Sequence, residues 1–241
     1  WEISEEQHDE GLVMHTAGWP LDHKTYGGSF FYHGENKQVY IGYVIGLDYK
    51  NPYLSPYDEF QRFKTHPAIS KYLKGGKRIS YGARALIEGG LQSLPTMHMP
   101  GCLLIGCDAG TLNMPKIKGS HTAMKSGMLA AETINEYFLH NTPLKSYDLK
   151  FKNSWVFKEL YSARNVKPSF NWGLIPAIIF TGFDQIFFRG KLPFTLKHKH
   201  ADHETLLPAK NSNKINYPKY DGILTFDKTS SVYLTGTNHE E

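Results

Sequence analysis

The chain has 241 residues, 40% of them hydrophobic and 21% charged, a balance that suits a globular protein with a sizeable core and excludes a disordered one. A net charge of +4 is too small to mark a nucleic-acid binder. The two cysteines, Cys102 and Cys107, exclude a disulfide framework or a cluster-binding cysteine array and fit a reducing compartment.

The opening WEISEEQHDEG is acidic and polar, and reads as neither a signal nor a transit peptide. Segments 11–17, 27–33 and 37–46 are rich in Val, Ile, Tyr and Phe and predict strands. The last two are joined by the turn HGEN into an antiparallel hairpin. Ser55 then Pro56 predict a capped helix that ends before Pro67. Residues 77–90 predict an extended stretch closing in Gly-Gly, and 102–107 (CLLIGC) a buried strand with the two cysteines on opposite faces. A helix is expected from Ser120 to about His140, with Met124, Met128, Ala131, Ile134 and Phe138 at helical spacing. Ala123, Gly127 and Ala130 keep its surface low enough for close packing. A second helix is expected over 148–165, an apolar segment over 171–189, and a basic, then Pro- and Asn-rich tail beyond 191.

Three stretches carry candidate chemistry. Gly106, Asp108 and Gly110 would place a carboxylate and backbone freedom at the end of a parallel strand, where a ligand's hydroxyls can be met. Lys118, Gly119 and Ser120 then open a helix whose first amides attract an anion or an electron-rich carbonyl. An ordinary strand-to-helix turn explains the same residues, and no G-x-G-x-x-G is present to cradle a pyrophosphate. Gly27 and Gly28 suit either a bulge or a strand on which a flat ring can rest. Segment 171–189 is too interrupted by Gly173, Pro176, Gly182 and Asp184 to span a bilayer. It reads equally as a buried core helix or as an interfacial helix with Trp172, Ile175, Ile179, Phe183 and Phe187 on one face, followed by Arg189, Lys191, Lys197 and Lys199. His198, His200 and His203 match no zinc spacing, and no metal site is expected.

The blocks TYGGSFFYH, IGLDYKNPYLSPYDEFQRFKTHP, GGKRISYGARALIEGG, NMPKIKGSHTAMKSGMLAAE, FFRGKLPFTLKHK and SSVYLTGTNHEE resemble the electron-transfer flavoprotein–ubiquinone oxidoreductase family over nearly the whole chain. The resemblance implies an α/β (α+β) fold: part of a flavin-binding domain with an antiparallel-sheet quinone-binding domain inserted. It implies a ubiquinone-binding domain over 1–95, the C-terminal part of an FAD-binding domain over 96–140, a helical membrane-associating segment over 141–200, and an irregular tail over 201–241. The chain is then expected to be the middle of a longer protein. The G-x-G-x-x-G part would precede it, and a part holding a 4Fe-4S cluster would follow.

The implied activity carries electrons from reduced electron-transfer flavoprotein through FAD and the cluster to ubiquinone. It would take place at the mitochondrial inner membrane, matrix side, or at a bacterial inner membrane. The resemblance assigns FAD contacts to Gly106, Asp108, Gly110, Thr111, Asn113, Ile117, Lys118, Gly119 and Thr122, and ubiquinone to Gly27 and Gly28. It tips segment 171–189 toward the membrane surface. Two rivals remain open: a flavin-dependent reductase of a prenyl lipid, and a quinone- or lipid-binding module without activity.

Overall fold

The computed structural model describes residues 1–237; residues 238–241, the end of the expected tail, lie outside the described residues. Helices and small antiparallel sheets are mixed in an α+β arrangement that divides into two compact units. One comprises Trp1–Arg84 and the residues from His200 onward, the other Ala85–Lys199.

The first unit is built on the expected sheet. Strands β1 (Val13–Ala17), β2 (Gly27–His33) and β3 (Val39–Ile45) lie antiparallel in the order β1-β2-β3. Asn36 and Lys37, at φ 57° and 59°, close the β2–β3 hairpin, with the Gln38 amide donating to the Glu35 carbonyl at 3.1 Å. Two successive left-handed residues give this turn the twist that paired strands require.

Alternation along β2 buries Ser29, Phe31 and His33 on one face and leaves Phe30 and Tyr32 half-buried on the other. Helices α1 (Pro56–Lys64) and α2 (Pro67–Leu73) belong to the same core: the Phe31 ring lies 5.3 Å from Tyr72, and the Tyr43 ring 5.0 Å from Phe63. Ser55 caps α1 through the Asp58 amide at 3.3 Å. Pro67 does not merely stop α1. It opens α2, because a proline at the first helical position forgoes only an amide that has no partner there.

Residues 200–237 return to this core. The Tyr57 hydroxyl donates to the Phe226 carbonyl at 2.6 Å, and the Phe226 amide to Gln61 Oε1 at 3.0 Å. A short helix, Lys228–Tyr233, is capped by Asp227. Lys64 is buried with its ammonium 5.2 to 5.6 Å from the Phe60, Phe226 and Trp1 rings. Burial, reinforced by the Arg78 charge, lowers its pKa to about 7.

The second unit departs from expectation at its start. Residues 102–107 are not one buried strand. Only β4 (His98–Met99) and β5 (Cys102–Leu103) pair, as a minimal antiparallel hairpin about Pro100-Gly101, with Gly101 at φ 75°. Gly106, at φ 69°, then turns the chain into a 3-10 turn, Gly106–Ala109. Asp108 therefore sits in that turn, and not at the end of a parallel strand. No strand pair among the described residues is parallel, and the two cysteines do not share a strand.

Helix α3 (Ser120–His140) forms as predicted, but it buries Thr122, Ser126, Leu129, Ala130 and Thr133, leaving Met124, Met128, Ala131, Ile134 and Phe138 exposed. The helix expected over 148–165 is two, α4 (Ser146–Asn153) and α5 (Trp155–Ser162). Ser154 is extended between them, and its hydroxyl accepts from the Phe157 amide at 3.4 Å, starting α5 afresh. Tyr147, Phe151, Val156 and Leu160 from these helices meet Leu129 and Ala130 in the core. Helix α6 (Val166–Ser169) and helix α7 (Leu174–Phe183) follow, the latter running into a π-helical turn, Asp184–Phe188.

Candidate functional site

Gly27 and Gly28 open β2 between two strands, and register explains why they are glycines. A Cβ on Gly28 would run into the Thr16 carbonyl oxygen of β1. One on Gly27 would meet the Val44 carbonyl oxygen of β3 and the Leu21 side chain. Both obstacles are close backbone approaches, so the pair is first a requirement of the sheet. Gly42 of β3 has a different reason: the Phe30 ring leans across the strands into the space its Cβ would take. That ring also stacks on Tyr32 at 5.3 Å.

Pairing places Val13, His15 and Ala17 of β1, Gly28, Phe30 and Tyr32 of β2, and Tyr40, Gly42 and Val44 of β3 on the same face. Val13, His15, Ala17 and Tyr40 are exposed. The result is an open, largely apolar face beside a glycine edge.

The residues assigned to a flavin converge in the second unit. The Gly106 amide donates to Ser126 Oγ of α3 at 2.8 Å. Residues 113–118 close into a tight loop: the Asn113 amide donates to the Lys118 carbonyl at 3.0 Å, and the Lys118 amide to the Asn113 carbonyl at 3.3 Å. Ile117, at φ 52°, forms the exposed tip. Gly119 abuts Cys107, whose Sγ would lie 2.9 Å from an added Cβ. Gly110, at φ 85°, ends the 3-10 turn. Asp108, Ile117 and Lys118 are exposed, whereas Thr111, Asn113 and Thr122 are buried. The Thr122 hydroxyl is spent on the Gly119 carbonyl at 2.8 Å.

Asn113 leads to residues the sequence reading missed. Glu159 of α5 accepts from Asn113 Nδ2 at 2.7 Å, from His121 Nε2 at 2.8 Å and from Lys116 Nζ at 3.1 Å. Burial of the Glu159 carboxyl opposes its ionisation, but the bonds from His121, Asn113 and Lys116 outweigh burial and hold its pKa below the usual glutamate value. The His121 ring stacks on Trp155 at 5.7 Å with an interplanar angle of 11°. One carboxylate thus ties the loop and the start of α3 to α5. Periodicity offers no signal for it, because its partners lie 38 to 46 residues away.

FAD fits this place in part. Thr111 Oγ1 is buried without a hydrogen-bond partner, and no side chain caps the first amides of α3. A four-iron cluster does not fit: no group of three or more His, Cys, Asp or Glu residues that could hold a metal ion occurs among the described residues.

Segment 171–189 forms an outward apolar face. Trp172, Ile175, Ile179, Phe183 and Phe187 are 47 to 73% exposed, joined by Ile178, Ile186 and Phe188. Ala177 and Asp184 alone point fully inward. Within this chain these side chains are not packed in a core. No helix among the described residues is long and apolar enough to cross a membrane. Buried Arg164 pins the basic stretch that follows, donating to the carbonyls of Gly190 and Leu192 at 2.6 Å each. His198 Nε2 lies 2.7 Å from the Gly89 carbonyl.

Residues 1–86, which include the three-stranded sheet, match the family model described as ETF-QO, ubiquinone-binding. The whole chain is 52% identical to the mitochondrial electron transfer flavoprotein-ubiquinone oxidoreductase of Oryza sativa subsp. japonica, covering 42% of that protein. It is 54% identical to the Sus scrofa mitochondrial protein of the same name, covering 41% of it, and 54% identical to the Pseudomonas aeruginosa protein, covering 45%. The chain thus spans about two fifths of the length of these curated relatives.

The glycine geometry makes a differential prediction. Gly28→Ala meets a backbone oxygen and should destabilise the protein by about 1–3 kcal/mol. Gly42→Ala meets only the movable Phe30 ring and should cost less. Urea melts of the two variants check this; equal costs would show that the backbone contact at Gly28 is not the constraint.

Proposed function

Because the chain belongs to the electron transfer flavoprotein–ubiquinone oxidoreductase family, we propose that it forms the quinone-receiving and flavin-contacting part of such an enzyme. In such an enzyme FAD, and an iron–sulfur cluster outside this chain, would supply the redox chemistry between electron-transfer flavoprotein and ubiquinone. The observation that carries the reading is the coincidence of the ubiquinone-binding match with the sheet at residues 1–86.

Ubiquinone's ring rests on the open face beside Gly28, over the small, exposed Ala17 of β1. Phe30 and Tyr32 supply apolar and aromatic contact. No nucleophile is required; the protein's part is to bind and orient. FAD, when bound, supplies the redox chemistry of its isoalloxazine ring. Toward it this chain offers the exposed loop tip at Ile117–Lys118, the first amides of α3, Asp108 and the turn around Gly106 and Gly110. Glu159 keeps that loop in one position.

Ubiquinone resides in the bilayer, so an enzyme that reduces it must meet the membrane. The apolar face from Trp172 to Phe188, followed by Arg189 and Lys191, suits shallow burial among lipid headgroups with basic residues at the anionic surface. The setting in this reading is the inner membrane; the names of the rice and pig relatives say mitochondrial, and a bacterial relative is also present.

Ala17 tests the quinone face without disturbing Gly28. It is exposed, directly opposite Gly28 and on the same face. In the full-length enzyme, Ala17→Trp should lower ubiquinone reduction at least about tenfold while changing stability by no more than about 0.5 kcal/mol. Reduction of the enzyme by electron-transfer flavoprotein should persist. Unchanged ubiquinone reduction would overturn the assignment of this face.

The membrane reading has its own test. Ile179 and Phe183 are exposed, so Ile179→Asp with Phe183→Asp should leave the fold intact and release the enzyme from liposomes, each side chain contributing about 1.5–3 kcal/mol when buried. Full liposome binding by the double variant would refute it.

A further inference from the structure

Reducing ubiquinone to ubiquinol consumes two protons as well as two electrons, and a positioned side chain speeds the transfer of such a proton. By register, the titratable side chains on the open face of the sheet are His15, Tyr32 and Tyr40. Tyr40 donates to Gln38 at the hairpin end. His15 stands opposite Phe30, two residues along β1 from Ala17, the partner of Gly28. Two residues of strand span about 7 Å, the order of a quinone ring with its carbonyl oxygens.

The Phe30 ring leans the other way, over Gly42 of β3, and so leaves the β1 side of the face clear. His15 is exposed, its Nε2 lies 3.2 Å from the Tyr32 hydroxyl, and its ring meets Tyr32 edge-on at 5.5 Å. Tyr32 engages Nε2, and Nδ1 is the ring nitrogen it leaves free to face a ligand.

We propose that His15, positioned by Tyr32, is the catalytic proton donor to ubiquinone. This rests on the reading of the sheet face as the quinone site. Reduced electron-transfer flavoprotein supplies two electrons through the enzyme and is itself oxidised. As the electrons reach the quinone, the Nδ1–H bond of His15 in its imidazolium form breaks, an O–H bond forms at the quinone oxygen facing it, and a neutral imidazole is left. Water returns the proton to the exposed ring. The oxygen at the far end of the ring, beside Gly28, takes its proton from solvent, which completes ubiquinol. Positioned proton donors of this kind contribute about 10²–10⁴-fold.

The test uses the full-length enzyme with a water-soluble short-chain ubiquinone. His15→Gln keeps a hydrogen-bonding side chain but cannot exchange a proton, and should lower quinol formation about 100-fold or more. Its quinone Kd and its reduction by electron-transfer flavoprotein should stay within about twofold of the parent, a margin of about 0.4 kcal/mol. His15→Ala should lose as much and recover with added imidazole, which a merely structural role would not allow. Tyr32→Phe should lower the rate less, because it only positions the ring.

Three outcomes overturn the proposal. If His15→Gln turns over normally while Ala17→Trp does not, the face holds the quinone but the proton comes from elsewhere. If both turn over normally, the quinone is not on this face at all. If His15→Ala is inactive and imidazole restores nothing, His15 serves the fold and not proton transfer.

Discussion

The sheet depends on two backbone approaches that leave no room for a side chain. Gly27 lies against the Val44 carbonyl and Gly28 against the Thr16 carbonyl, so β2 is held between its neighbours where the strands are tightest. Register follows from this, and register decides which side chains share a face. Phe31 and His33 go inward, to the core they share with Phe63, Ile69 and Leu73 of α1 and α2. Phe30, Tyr32 and His15 go outward. A slip of one residue would bury the outward set and expose the core, so the open face is fixed by the same constraint that fixes the fold.

In the second unit, order is imposed by polar contacts. Loop 113–118 buries Met114, but its tip, Ile117, is exposed in a left-handed conformation. What holds it is the Glu159 carboxylate with three donors, each a charge-assisted bond of the stronger kind. Nearby, the buried Tyr147 hydroxyl donates to the Leu104 and Ser126 carbonyls at 3.2 and 3.3 Å, fastening the approach to the 3-10 turn against α3. Burial pushes the Tyr147 pKa up to about 12, so this bond keeps its proton across the physiological range. The loop is thereby tied to α3 and α5 with its backbone outward at Ile117.

Much of this was legible in the residues. Alternating Val, Ile, Tyr and Phe marked the three strands within about two residues, and Ser55-Pro56 marked α1, because those signals are local. What failed was non-local. CLLIGC is apolar enough for a buried strand, yet no third strand lies beside it, and Gly106 bends it into a turn. On α3 the spacing of Met124, Met128, Ile134 and Phe138 defined a face without saying which way it pointed. The buried face is the one with Thr122, Ser126, Ala130 and Thr133, whose small side chains admit close neighbours. Glu159 was invisible because its importance comes only from partners brought to it by folding. The glycine pair was read as a bulge or as a strand on which a flat ring can rest; the structure shows carbonyl oxygens of the sheet itself lying where its side chains would go.

The central claim is that ubiquinone lies on the open face of the sheet, and covalent capture tests it most directly. A photoreactive ubiquinone analogue, irradiated with the full-length enzyme and mapped by peptide mass spectrometry, should label residues within 13–17, 28–32 or 40–44. Excess short-chain ubiquinone should suppress that labelling. Competable labelling confined to 172–188 would place the quinone at the apolar helix instead and contradict the account.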